Sequence, residues 1–238
     1  MSIVEQAIEY RDGGSVLEGL LVHDDARTHP QPAVMIAHAW GGRDEFVANK
    51  ARRLASQGYA AFCIDMYGKG VRGRNATENG ALMTPFMENR AMLAQRMQKA
   101  LATLRAQPGI DAGRIAAMGF CFGGLCVLDL ARSGADVRGV ISFHGLLTPN
   151  GLPPHAVKAK ILALHGYDDP MAPPEEVLAF GREFTAARAD WQLHAYGNTV
   201  HAFTNPEASD ASGGLLYDPK ADRRSWGSLM QFLEEVLS

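Results

Sequence analysis

The sequence is poor in three things, each of which would have pointed elsewhere. It has only three cysteines in 238 residues, Cys63, Cys121 and Cys126, too few for a disulfide framework and without the spacing of a zinc site. It has no uninterrupted apolar run near the roughly 18 residues that a membrane-spanning helix requires. Its first residues, Met1-Ser2-Ile3-Val4-Glu5-Gln6, have neither the basic start nor the apolar core of a secretory leader. Charge of one sign is also scarce. The 23 basic residues face 26 acidic ones, for a net charge of -3, so a nucleic-acid-binding surface has no compositional support. Repeats, low-complexity tracts and charge blocks are missing, and with them any convincing linker. What is left is 47% hydrophobic and 21% charged residues, an ordinary globular composition. The expectation is a reduced, cytoplasmic protein, one domain over residues 1–238, acting on a small molecule.

Short β-like apolar runs alternate with longer helical ones, which predicts an α/β fold: a mostly parallel sheet with helices on both faces. An N-terminal antiparallel hairpin is expected from strands near Glu5–Tyr10 and Val16–Val22 around the Asp12-Gly13-Gly14 turn. Further strands are expected at Ala33–Ala37, Ala60–Asp65, Arg114–Met118, Val137–Phe143, Lys160–His165 and Gln192–Tyr196. Helices are expected at Phe46–Gln57, Glu88–Gln107, from the glycine turn after Met118 to Ala131, at Glu175–Ala187 and at Ser225–Leu237. The stretch Tyr67–Gly80 reads as a long polar loop.

One connection carries chemistry. Gly119-Phe120-Cys121-Phe122-Gly123 has the form G-x-C-x-G where a buried strand gives way to a helix. In the related G-x-S-x-G elbow the nucleophile occupies a strained turn, and small neighbours let strand and helix approach. A helix N-terminus beside a thiol favours the thiolate, its reactive form. By itself the pattern also fits a tight turn in which Cys121 only fills space. Two later strand ends add weight. One carries Gly166-Tyr167-Asp168-Asp169-Pro170, the other Gly197-Asn198-Thr199-Val200-His201. Thiol, acid and imidazole thus follow in the chain order of the α/β-hydrolase layout, at the strand ends where open α/β sheets gather their catalytic groups.

From about Val34 onward these segments resemble the dienelactone hydrolase family, the cysteine-using branch of the α/β-hydrolases. Asp65-Met66-Tyr67-Gly68 and Ser142-Phe143-His144-Gly145 resemble family segments as well. The resemblance implies Cys121 as nucleophile, His201 as base and Asp169, in preference to Asp168, as the acid. It implies the amides of Phe122 and Trp40 as an oxyanion hole. The expected activity is hydrolysis of a carboxylic ester or lactone through an acyl-thioester. Acyl transfer to a thiol or alcohol, or ligand binding without catalysis, are the alternatives. Two departures stand out. Ala39 occupies the place of a glutamate implicated in activating the family's thiol, which leaves activation to His201, the helix dipole or His38. Asn205 occupies the place of an arginine that holds a substrate carboxylate, which leaves Arg72, Arg74 and Arg90 as candidate substrate contacts, with His144 as another.

The other conspicuous residues read as structural. Cys63 and Cys126 lie in apolar elements and are expected to pack as small hydrophobes. His165 reads as a satisfied core residue, and Met87, Met92 and Met97 as a helix's core face. Asn205–Tyr217 is either a surface loop or a pocket rim. No ligand motif suggests a metal and no phosphate loop suggests a nucleotide. No cofactor, no metal, no nucleic acid and no membrane partner are therefore expected, and the chain is expected to act as a monomer or homodimer.

Overall fold

The computed structural model describes residues 2–238. The hairpin strands β1 (Ile3–Asp12) and β2 (Ser15–Asp24) pair antiparallel along their whole length. They turn at Gly13, whose φ of 57° suits a residue without a side chain. Next come β3 (Gln31–Ala37), α1 (Glu45–Ser56) and β4 (Ala60–Cys63). Two helices follow, α2 (Ala76–Glu88) and α3 (Arg90–Arg105), then β5 (Ile110–Phe120) and α4 (Phe122–Arg132). The chain continues through β6 (Gly139–Phe143), β7 (Lys160–Gly166), α5 (Pro174–Ala186) and β8 (Trp191–Tyr196). A miniature two-stranded ribbon, β9 (Ser209–Asp210) and β10 (Leu215–Leu216), precedes the final helix α6 (Pro219–Leu237).

Strands β1 to β8 form one sheet in the order β1-β2-β4-β3-β5-β6-β7-β8. The β1–β2 and β2–β4 pairs are antiparallel and every later pair is parallel. Buried strands send alternate residues to opposite faces. Met35, Ile115 and Ala117 face one core with Leu93, Met97, Leu125 and Phe180, under α3, α4 and α5. Ile36, Met118 and Phe120 face a second core with Leu54, Trp226, Leu229 and Phe232, under α1 and α6. The parallel registers align Ala37 with Gly119, Phe120 with Phe143 and Gly166 with Tyr196. The connections after β3, β5, β6, β7 and β8 therefore leave the same C-terminal end of the sheet.

Two helices differ from expectation. Residues 76–88, read as loop as far as Gly80 and given no element from there to Glu88, form α2. Asn75 caps it by accepting from the Glu78 amide. Only Phe86 of this helix is fully buried, with Met83 and Met87 partly buried beside it, so its apolar face is short. It closes at Asn89, whose side chain caps α3 by accepting from Met92. Helix α6 begins six residues before the expected Ser225, at Pro219 after the Asp218 cap.

Arg90 is the clearest correction. It is buried, and it donates to both carboxylate oxygens of Asp129 at 2.6 and 2.8 Å. Arg132 donates to the same Asp129 at 3.0 Å and to Glu183 at 2.8 Å. Arg90 thus fastens α3 to α4, and its fork is committed to a buried carboxylate rather than a substrate. Loss of one partner from such a network strands buried charge, typically at a cost of about 3–5 kcal/mol. Asp129→Ala is therefore expected to lower unfolding free energy by about that amount, read from urea denaturation midpoints with an unchanged slope.

Candidate active site

Cys121 stands between β5 and α4 with φ of 55° and ψ of -118°, a conformation that side-chain-bearing residues adopt at a cost. The surroundings explain why it persists. A Cβ on Gly119 would overlap the Gly123 carbonyl, and one on Gly123 would overlap the Ala37 carbonyl. Only glycines let the helix start this close to the strand ends. The Cys121 amide donates to Phe143 O at 3.0 Å, and Cys121 O accepts the first helical bonds from Gly124 and Leu125. The sulfur consequently sits at the N-terminus of α4, a helix buried from end to end, near the amides of Phe122 and Trp40.

Asp169 lies three residues past β7. Its Oδ1 accepts from the Met171 amide at 2.8 Å and its Oδ2 contacts His201 Nδ1 at 2.7 Å. Both residues are only 1% exposed. Asp168 is exposed and turns away. With Nδ1 bonded to Asp169, His201 keeps Nε2 free of any conventional hydrogen-bond partner and close enough to the sulfur for each to shift the other's ionisation. Burial raises the Cys121 pKa, but the His201 charge and hydrogen bond, with the Phe122 and Trp40 amides, outweigh it, and the thiol ends below its ordinary value. Burial opposes charge on His201 too. The Cys121 thiolate and the Asp169 carboxylate prevail and raise the imidazole to about 10. Each shift thus favours the charged form of its group. Cys63 and Cys126, by contrast, are packed in the core, where burial pushes Cys63 up to about 12 and Cys126 well above the usual thiol range.

A cavity of about 320 Å³ opens over the sulfur. Its apolar walls include Trp40, Phe46, Phe120 and Leu215, and its polar ones Asp44, Glu207 and Asp210; among the described residues no lysine or arginine lines it. Residues 205–217 are therefore the pocket rim. They are tied down by a β-bridge between His201 and Leu215 and by the Leu216 amide donating to His201 O at 3.1 Å. Asn205 lines the same cavity.

The other sequence candidates scatter. His144, with a positive φ of 36°, lines the cavity and packs edge-on against His201 at 5.0 Å between ring centroids. Its Nε2 bonds Thr204 Oγ1 at 2.8 Å, and burial, helped by the His201 charge, holds its pKa well below the usual range. Arg72 borders an adjoining groove that shares Asp44, Phe46, Asn205 and Glu207 with the cavity. Arg74 points into solvent and pairs with Glu78 at 3.1 Å, so it joins Arg90 as a residue that does not reach the cavity. His38 is buried with both ring nitrogens committed to backbone, which leaves it no free nitrogen for the thiol. His165 is buried, yet neither ring nitrogen has a partner among the described residues, so it is a core residue without the expected satisfaction. Glu207 and Leu215 fall in the segment read as a loop or a pocket rim, and the structure settles it as rim, whereas Asp44, the N-cap of α1, was not read as part of the cavity.

Among the described residues no helix is long and apolar enough to cross a membrane. The chain matches the profile of the Dienelactone hydrolase family over residues 17–237. It is 37% identical to the solved structure described as m3DLH, with a TM-score of 0.95 and full coverage of both chains. A dienelactone hydrolase-like promiscuous phosphotriesterase from metagenomic libraries is 34% identical, with a TM-score of 0.93 and the same coverage. A Yersinia pestis protein provisionally named carboxymethylenebutenolidase is 26% identical over 80% of this chain and 75% of its own. With the elbow, the acid and the imidazole each leaving the expected strand, this chain belongs to the dienelactone hydrolase family.

Proposed function

We propose that this hydrolase cleaves carboxylic esters or lactones through an acyl-thioester on Cys121. The observation that carries the reading is the buried Asp169–His201 bond, which leaves Nε2 toward a sulfur at the floor of an open cavity. The Cys121 thiolate attacks the carbonyl carbon, forming the C–S bond and moving charge to oxygen. The Phe122 and Trp40 amides receive that oxyanion, an effect commonly worth about 3–4 kcal/mol per donor. Collapse breaks the ester C–O bond, and His201 Nε2–H protonates the leaving oxygen. His201, now neutral, takes a proton from water as the hydroxide attacks the thioester. Cleavage of C–S releases the acid and restores thiolate and imidazolium. Asp169 fixes the ring's tautomer throughout. In this scheme the thiol needs no carboxylate at Ala39, because His201 already supports the thiolate.

The cavity lining also bears on substrate. The acids Asp44, Glu207 and Asp210, with no cation among them, favour an uncharged acyl group, and Arg72 in the adjoining groove would meet only the far end of a longer substrate. His144 would flank the acyl group.

Mass spectrometry during turnover of p-nitrophenyl acetate is expected to show a burst of nitrophenol and an acetyl adduct on Cys121, with Cys121→Ala abolishing both. Full activity in Cys121→Ala would overturn the mechanism, and transfer of the acetyl group to added thiol in preference to water would make the chain a transferase. Placing a carboxylate on the acyl group, as in p-nitrophenyl hemisuccinate, is expected to cut kcat/KM by about 10-fold or more, a penalty of about 1.4 kcal/mol.

The ionisation directions give a pH test. Deprotonation increases with pH, so a lowered thiol pKa moves the alkylation curve to the acid side. Iodoacetamide is therefore expected to modify Cys121 readily at pH 7. His201→Ala removes the cation and leaves burial dominant, so its curve moves to higher pH and its rate at pH 7 falls by about 10-fold or more.

A further inference from the structure

The segment Asp65-Met66-Tyr67-Gly68 has no part in the chemistry above, yet it lies against the loop that supplies the Trp40 amide. Asp65 Oδ1 accepts from the amides of Tyr67 and Gly68, both at 2.9 Å, and its Oδ2 accepts from Glu18 at 3.0 Å, which shapes the turn after β4. Two contacts then cross to the loop after β3. The Met66 amide donates to His38 Nε2 at 3.2 Å, and the Tyr67 hydroxyl donates to Trp40 O at 2.9 Å. Because Nε2 accepts, the His38 proton resides on Nδ1, and Nδ1–H donates to Ala39 O at 2.6 Å. The Gly42 amide reaches the same oxygen at 3.2 Å.

Ala39 C=O and Trp40 N–H belong to one peptide unit. That unit is planar and trans, so its oxygen and its hydrogen point in opposite directions. Holding the oxygen aims the hydrogen. A hydrogen bond to the carbonyl also polarises the N–H on the far side. Tyr67 holds the next carbonyl, Trp40 O, and so prevents the two peptides from rotating together.

We propose that His38 and Tyr67 are positioning residues of the oxyanion hole, a neutral imidazole and a phenol that clamp successive carbonyls so that the Trp40 amide faces the reacting carbonyl. This rests on the ester-hydrolase reading. Neither side chain lines the cavity. His38 stays uncharged because burial lowers its pKa despite the nearby Asp65, and burial raises that of Tyr67 so that it remains a donor. Tyr67 also packs edge-on against His38, with 4.9 Å between ring centroids, so Tyr67→Phe removes the donor while keeping the ring.

The test compares two reactions of the full chain at Cys121. Hydrolysis of p-nitrophenyl acetate passes through an oxyanion. Alkylation by iodoacetamide does not, since the thiolate forms a C–S bond at a saturated carbon as iodide departs. His38→Ala is expected to lower kcat by about 10-fold or more, with KM changed less than about twofold and the alkylation rate on its high-pH plateau, where the thiol is fully ionised whatever the Trp40 amide contributes, within about threefold. His38→Gln, whose amide can both donate and accept, is expected to recover part of the loss, and Tyr67→Phe to show a smaller fall of the same kind. Wild-type kcat in both His38→Ala and Tyr67→Phe would overturn the clamp, as would plateau alkylation rates that fall in step with kcat. Acetate ester turnover that survives Cys121→Ala would overturn the underlying mechanism instead, a result visible before any clamp variant is made.

Discussion

The tight approach of helix α4 to the ends of β3 and β5 governs the rest of the molecule. A side chain on Gly119 or Gly123 would drive the helix off the sheet, and Cys121 could not then hold its positive-φ turn. Because the helix is seated this tightly, its Phe122 amide and the Trp40 amide of the neighbouring loop face the sulfur, and of the three thiols only that of Cys121 is shifted below its ordinary value. Burial acts on all three cysteines alike. The difference lies in what each meets: Cys63 meets the Val47 carbonyl, whereas Cys121 meets amides and an imidazole.

The same opposition between desolvation and partners organises the surrounding charges. Asp169 and His201 are almost fully enclosed, and each satisfies the other. Asp129 is equally enclosed and needs two arginines to be tolerated. One buried carboxylate, in the loop after β7, therefore bonds an imidazole, and the other, on α4, joins helices. Their roles are separated by which partner the topology delivers.

This separation explains how much could be read from the sequence. The sheet was legible because central strands are short apolar runs, and the elbow because three glycines bracket a cysteine at a strand end. The acid and the imidazole were legible because each lies within a few residues of a strand end, where chain order translates directly into position. Arg90 was misread because its partner lies 39 residues away on another helix, and nothing near Arg90 announces it. Helix α2 escaped notice because it buries a single phenylalanine and contains Pro85, so capping by Asn75 and tertiary contact decide its fold more than periodicity does. Residues 205–217 could be read only as a loop or a rim, since the bridge between His201 and Leu215 that seats them is a tertiary contact. The structural histidines were hardest of all. His38, His144 and His165 look alike in sequence, and only their backbone surroundings tell a clamp from a cavity wall or a core filler.

The bridge between His201 and Leu215 has an evolutionary corollary. Strand-end loops in α/β enzymes ordinarily diversify freely, because lengthening one leaves the scaffold unaltered. Here the rim of the cavity is stitched to the backbone of His201, the residue proposed to move protons. Insertions that preserve the stitch can reshape the mouth at little cost, whereas those that break it must disturb recognition and turnover together. Natural variation in this lineage should accordingly concentrate between the anchored points, in residues 205–214, and spare the anchors.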